Sequence, residues 1–466
     1  MKKIIGFLLC ITALASSLSL FACNKDNGEN DDGEKEVNLK DGEAYTIVND
    51  ANNKMATLDS YTVSSMMSGT LNISETEITI SATETEKISG LTSGELLHRK
   101  EVSSKAKSGS VTESIISGEG FCDGKMFSRY LHDGYENLLW SYITAEEYLQ
   151  HYASMNESVF DELLWNDELT ADTLVTHLDD GGVTVAFNNF NDAFLTEVFT
   201  ELELDAYGEM IKLSAVEMTY EIAPNGIFEA LTMNISLDSN GKIYPLTQET
   251  KISDIDSTVV KTYSLGSYKE VEDIRLIHKA DRALSDMREI SKGDAVLTLD
   301  SVLEYGTTTQ TYSETDTISY DKTNGLEYNL TATSDEINAR IEYRDGKKYV
   351  YTVKDGEETL ISTVTSDNTT ETVYLYSLLD YGMFDSRFVK GVEMLEDGSV
   401  KYTLDVTDTV KASRPAPSTY LYLAEIEVTL KFKGDGISEY STLLEYKGNA
   451  TARGALYTIT ANCKFD

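Results

Sequence analysis

Catalysis and metal binding need nucleophiles, acids and soft ligands at particular spacings, and this chain of 466 residues holds only 4 Cys and 5 His beside 79 Asp and Glu. His98, His132, His151, His177 and His278 are scattered. None stands at the His-x-x-x-His or Cys-x-x-Cys spacing that places two ligands side by side, so no metal site is expected and each reads as a surface or partly packed residue. Neither His-Glu-x-x-His nor Gly-x-Ser-x-Gly occurs. Gly124-Lys125, Gly241-Lys242 and Gly346-Lys347 are followed by Met126, Ile243 and Lys348, not by the Ser or Thr of a phosphate loop. Ser104-Lys105-Ala106-Lys107 and Ser366-Asp367-Asn368 have the form of two elements of penicillin-recognising enzymes, but they lie far apart and no Lys-Thr-Gly follows. With 79 acids, close carboxylate pairs are expected by chance and name no glycoside hydrolase site. The expectation is a non-enzyme with no catalytic, cofactor-binding or metal residues.

The balance of 39 Lys and Arg against 79 acids gives a net charge of −40, so nucleic acid would be repelled over most of the surface. Hydrophobic residues at 41% still suffice for folded cores. Tyr (28) is twice as common as Phe (14) and Pro occurs 4 times, a mixture suited to half-exposed pleated sheets. At ~150 residues per domain the length implies two or three domains.

At the N-terminus, Met1-Lys2-Lys3 precedes an uncharged apolar run from Ile4 to Ala15, the order read as a secretory leader. It ends at Leu20-Phe21-Ala22-Cys23, which resembles the lipobox of bacterial lipoproteins. That resemblance implies removal of residues 1–22 and a diacylglyceryl thioether on Cys23. Each buried CH₂ would then contribute ~0.8 kcal/mol of attachment to the outer face of a membrane. Ser16, Ser17 and Ser19 interrupt the apolar run, and no other segment approaches the ~20 apolar residues of a spanning helix. Residues 23–43 follow as the lipidated Cys and a flexible acidic tether, reaching ~25 Å as a random coil. No calcium loop fits it, because Gly28 and Gly33 would place the first ligand on Cys23 and Gly28.

The remainder matches itself in order. Ile47, Val48, Ala51, Met55 and Leu58 recur at helical spacing, as do Leu276, Ile277, Ala280, Leu284 and Met287. Asp123-Gly124-Lys125 matches Asp345-Gly346-Lys347, Asp180-Gly181 matches Asp397-Gly398, and Asn225-Gly226-Ile227 matches Asp435-Gly436-Ile437, each as a hairpin turn. The expected fold class is α+β, with two tandem repeated units at 44–265 and 266–466. Each is a curved antiparallel sheet partly covered by helices, with a polar boundary near 253–269. Helices are expected at 145–164 and 371–384, the second capped by Asn368-Thr369-Thr370. A further helix at 191–204 belongs to the first unit only, since Pro415 and Pro417 stand in the second.

A lipidated Cys, a tether, an opening amphipathic helix and a helix-crossed sheet resemble the LolA/LppX/LprG-type lipoproteins and lipid carriers. The resemblance implies an open half-barrel closed by helices over an apolar cavity, and hence a hydrophobic or lipid-like ligand. Two other readings stay open: a structural or adhesive surface module binding a protein or glycan, and a hydrolase whose acids carry no signature. Tyr349-Val350-Tyr351 and Tyr420-Leu421-Tyr422 each put two Tyr on one strand face, read as ordinary sheet surface. Cys122 and Cys463 are expected as buried thiols and not as a disulfide between units.

Overall fold

The computed structural model describes residues 42–73, 76–132, 134–155, 171–201, 212–239, 241–334, 338–354, 356–379, 384–413 and 416–465. The leader, Cys23 and the tether through residue 41 lie outside the described residues. Two compact units divide between Tyr268 and Lys269.

The first unit starts with helix α1 (Glu43–Met55), whose Ala44, Val48, Ala51 and Met55 are buried on one stripe. Six strands follow as a meander: β1 (Ser60–Ile73), β2 (Thr76–Ser89), β3 (Leu97–Ser108), β4 (Val111–Cys122), β5 (Lys125–His132) and β6 (Tyr135–Tyr142). Then come α2 (Ala145–Met155), the hairpin β7 (Asp172–His177) and β8 (Val183–Asn188), α3 (Asp192–Glu201), and β9 (Lys212–Ile222), β10 (Phe228–Ser239) and β11 (Lys242–Ser253). These strands lie in the order β6-β5-β4-β3-β2-β1-β11-β10-β9-β8-β7, all antiparallel where their registers are given. The period-2 alternation that makes them strands also decides what is buried. Along β3 every second residue from His98 to Ala106 faces inward.

The second unit opens on α4 (Arg275–Glu289), which buries Ile277, Ala280, Leu284 and Met287. Its strands are β12 (Lys292–Tyr305), β13 (Thr308–Asp321), β14 (Glu327–Ser334), β15 (Asn338–Arg344), β16 (Lys347–Lys354) and β17 (Glu357–Thr365). After α5 (Asn368–Leu379) come β18 (Val389–Met394), β19 (Val400–Leu404), α6 (Asp408–Ser413), β20 (Leu421–Lys433), β21 (Gly436–Gly448) and β22 (Leu456–Phe465). The eleven-stranded order is β17-β16-β15-β14-β13-β12-β22-β21-β20-β19-β18, which is the first unit's order shifted by one full set of strands. Both units are mostly β, with helices as additions to one large antiparallel sheet each.

Several local expectations change. The predicted helix at 145–164 is described as far as Met155, and its remainder lies outside the described residues. Asp367, and not Asn368, caps α5, accepting from Thr370 N at 2.9 Å. The second unit does hold a short helix in place of α3, because α6 ends at Ser413 before the two prolines and is capped by Thr407 Oγ1. The matched turn near 435 sits one step earlier than expected. Lys433 pairs with Gly436, so Gly434 at φ 65° and Asp435 make the bend while Gly436 begins β21. Asp123-Gly124 and Asp345-Gly346 are two-residue turns with positive φ at both residues, as their flanking alternation requires.

The polar boundary segment is tied to the first sheet by hydrogen bonds. Asp256 N donates to Ser60 O at 2.8 Å, and Thr258 N donates to Ser60 Oγ at 3.2 Å. Beyond these hooks Tyr263 and Tyr268 set their rings edge-on against buried Phe127, at 5.3 and 6.1 Å. Residues 254–268 thus strap the outward face of the first sheet.

Candidate functional site

The alternation of β2 and β3 places an unusual set of side chains on the inward face. Glu84 and Glu86 from β2 meet His98 and Lys100 from β3, with Glu86 directly across from Lys100. All four are buried. Over them lies α2, started by a reciprocal cap in which Glu147 N donates to Thr144 Oγ1 and Thr144 N donates to Glu147 Oε2 at 3.0 Å. Tyr148 and Tyr152, one turn apart, therefore point down together onto the sheet.

Their hydrogen bonds form a chain. Tyr152 Oη donates to Glu86 Oε1 at 2.9 Å, and His98 Nε2 reaches the same oxygen at 3.2 Å. His98 Nδ1 meets Tyr148 Oη at 2.5 Å. Donors and acceptors close when the imidazole carries its proton on Nε2 and accepts from Tyr148. Lys100 Nζ stands 3.7 Å from Glu84 Oε1. Burial raises the Glu86 carboxyl, but the hydrogen bonds from His98 and Tyr152 and the charge of Lys100 outweigh it and hold Glu86 below the usual carboxylate range. Burial wins at Glu84, pushing it up to about 7 against the pull of Lys100. Lys100 is held above its ordinary value, since three neighbouring carboxylates, Glu84, Glu86 and Glu119, overcome its desolvation. Glu84 Oε2 and Glu86 Oε2 are buried acceptors with no hydrogen-bond partner.

The second unit repeats the position with different chemistry. The register Ile88, His98, Phe121, Met126 across β2 to β5 corresponds to Tyr320, Tyr328, Tyr343, Lys348 across β13 to β16. The helix residue over His98 is Tyr148, fourth in α2, and the one over Tyr328 is Glu371, fourth in α5. Tyr328 Oη donates to Glu371 Oε2 in a short bond, and Lys348 Nζ reaches the same carboxylate at 3.2 Å. Lys348 also sits 3.7 Å over the Tyr374 ring. Although burial opposes it, these bonds keep Glu371 below its usual range. Asp316 occupies the place of Glu84, and burial together with the neighbouring Glu314 pushes it up to about 7.

These are the residue types that acid–base chemistry uses. With His98 and Glu86 at 0% exposure and Tyr148 at 0%, the cluster meets no solvent and its members are engaged with one another. It joins helix to sheet. Surface cavities lie elsewhere. One of about 340 Å³ is lined by Thr85, Lys87, Arg99, Glu101, Val259 and Lys261. Another of about 380 Å³ in the second unit has Asp397, Lys431, Glu439 and Lys464 among its lining. Both are rimmed by polar and charged groups.

Cys23 lies outside the described residues, and Cys122 and Cys463 are buried thiols, one in each unit. No group of three or more His, Cys, Asp or Glu suited to a metal is found among the described residues. His132 pairs with Glu113 at 3.3 Å and His177 with Glu43 at 3.2 Å. Ser104 is buried in β3 of the first unit, while Asp367 caps a helix of the second. Tyr349 and Tyr351 carry the guanidinium groups of Arg344 and Arg340 on their rings, and Tyr420 and Tyr422 are exposed. Sequence reasoning missed His98 and Lys100. The signal was present, since both share parity with Val102 and Ala106 in one alternating strand.

No family model matches the chain, and no curated protein matches it. Matched solved structures include a DUF1329 family protein from Desulfovibrio piger, 13% identical, covering 41% of this chain and 91% of that one at a TM-score of 0.19. A DUF3598 family protein from Nostoc punctiforme is 8% identical over 88% of this chain and 97% of its own, at 0.14. Transferrin binding protein B from Haemophilus parasuis is 6% identical over 88% of this chain and 76% of its own, at 0.15. Similarity at these scores carries no argument about this chain. No helix among the described residues is long and apolar enough to cross a membrane.

Proposed function

We propose that the protein is an exported, non-catalytic binding module, built from two copies of one sheet-and-helix unit and held at the outer face of a bacterial membrane through lipidated Cys23. The observation that carries the non-catalytic reading is the sealing of Glu86, His98, Lys100 and the two tyrosines beneath α2, where a reacting group would have no substrate to touch. The same burial of charge argues for a polar ligand over a lipid-like one. Filling the inward face beneath α2 with ion pairs removes it as a seat for acyl chains, and the surface cavities offer charged walls. The lipobox at Leu20–Cys23 supports the anchor.

Intact-mass analysis of the membrane fraction tests the attachment. The expected mass lacks residues 1–22 and carries a diacylglyceryl group that Cys23→Ser abolishes, with release of the protein from the membrane. A retained leader, or membrane association unchanged in Cys23→Ser, overturns it. For the ligand, uptake of a fluorescent fatty acid by the purified protein at micromolar affinity would overturn the polar reading.

A further inference from the structure

On the outward face of the first sheet, β2 and β3 place Lys87 directly across from Arg99. Like charges opposed on one sheet face repel, and a fold with only 39 cations among 466 residues has little statistical reason to spend two there. A third cation joins them from the strap, where Arg99 Nη1 donates to Lys261 O at 3.2 Å and fixes that residue over the strands. Behind them stands Arg129 on β5. The single acid lining the cleft is Glu101, and its charge is already engaged through Oε2. Arg99 Nη2 and Arg129 Nη1 reach its Oε2 at 3.2 and 3.3 Å, and Tyr263 Oη donates to the same oxygen in a short bond. Burial raises the Glu101 carboxyl, but these partners outweigh it and hold it ionised.

The walls are braced. Arg99 stacks on the Tyr263 ring at 4.1 Å, and Tyr263 rests edge-on against Phe127. Lys87 and Lys261 are the exceptions to this pairing. Neither makes an ion pair among the described residues, and both line the same cavity of about 340 Å³ with Thr85 and Val259. Lys87 and Arg99 are half-buried, so their charges act with less screening than those of exposed side chains.

We propose that this cleft binds a phosphate-bearing small molecule, with Lys87 and Lys261 as the charge-bearing contacts, Arg99 as the planar donor between them and the Thr85 hydroxyl at the rim. Three lining cations around one engaged carboxylate leave a local excess of two positive charges in a chain of net charge −40, which an anion with two negative charges neutralises, while Arg129 behind them is shared between Glu101 and Glu136. The site gives the polar-ligand reading a place and a chemical class, and it rests on that reading. It is independent of the anchor at Cys23.

Calorimetric titration of the purified full-length protein tests it with two probes, inorganic phosphate and glycerophosphoglycerol, the deacylated headgroup of phosphatidylglycerol. Saturable one-to-one binding of either is expected, weakened at least tenfold in Lys87→Ala/Lys261→Ala and unchanged in Lys105→Ala/Lys107→Ala, which removes the same charge from the far end of β3. Preference for the monoester dianion identifies a soluble phosphate, and preference for the diester identifies a lipid headgroup. Absence of binding by both probes, or equal loss in the two double variants, overturns the site. Neither outcome touches the mass measurement on Cys23, so the failures are distinguishable.

Discussion

Glu84 and Asp316 link single residues to pH. Both carboxyls are held up to about 7 from ordinary values of 4.5 and 3.8, so the folded protein keeps protons that the unfolded chain has released. For an acid raised in this way the stability is fully present below the unfolded value and is lost as pH climbs through the folded one. The loss at Glu84 runs from about 4.5 to about 7, at up to ~1.4 kcal/mol per pH unit, and Asp316 adds to it between about 3.8 and about 7, by less than its full range because water screens it. Urea unfolding at pH 5 and pH 8 should show the protein more stable at pH 5, and Glu84→Gln should flatten much of that difference. Glu86 and Glu371 work the other way, but only at lower pH, since their folded values lie below the ordinary range and their stabilisation is lost as pH falls through them. Truncating Glu86 leaves Lys100 buried without its directly opposed carboxylate. Glu86→Ala should cost ~3–5 kcal/mol in denaturant midpoint experiments, against little for Glu86→Gln combined with Lys100→Met.

At the scale of single elements, the two-residue turns were legible because one or two residue types determine them, whereas the cap of α5 was placed one residue late. Asp-Gly with flanking alternation specifies a two-residue hairpin, and it does so at 123–124 and 345–346. Thr144 followed by Glu147 specifies a helix start, and Thr144→Ala should cost ~1 kcal/mol, read as faster amide exchange in α2. The inward charges were not legible as a site. Alternation assigns His98 and Lys100 to one face of β3 but does not say which face α2 covers, and a strand reading His-Arg-Lys-Glu looks solvated on both. The turn near 435 was misplaced because Gly434 and Gly436 are both glycines beside one Asp, and only the pairing of Lys433 with Gly436 decides between them. Close approach, too, is invisible in one dimension. A Cβ on Gly120 would lie 2.2 Å from His98 O, so Gly120→Ala must push β3 and β4 apart and should destabilise the first unit by ~1–3 kcal/mol by thermal melting.

Across the whole molecule, the two units share a strand order and a clamp position while exchanging the clamp's chemistry, His98 with Tyr148 in one and Tyr328 with Glu371 in the other. The shared topology was readable only as an opening helix and a set of turns matched in the same order in both halves. Each unit has its own large sheet and its own opening helix. That predicts two calorimetric transitions in place of one. Glu86→Ala should lower the transition of the first unit alone, and Glu371→Ala, which strips Tyr328 and Lys348 of their common partner, should lower the other. Because Glu84 and Asp316 occupy equivalent places, both transitions should rise on acidification from pH 8 to pH 5. A single transition moved equally by either substitution would show that the units fold as one body, and the equivalence of their interiors would then have no separate thermodynamic expression.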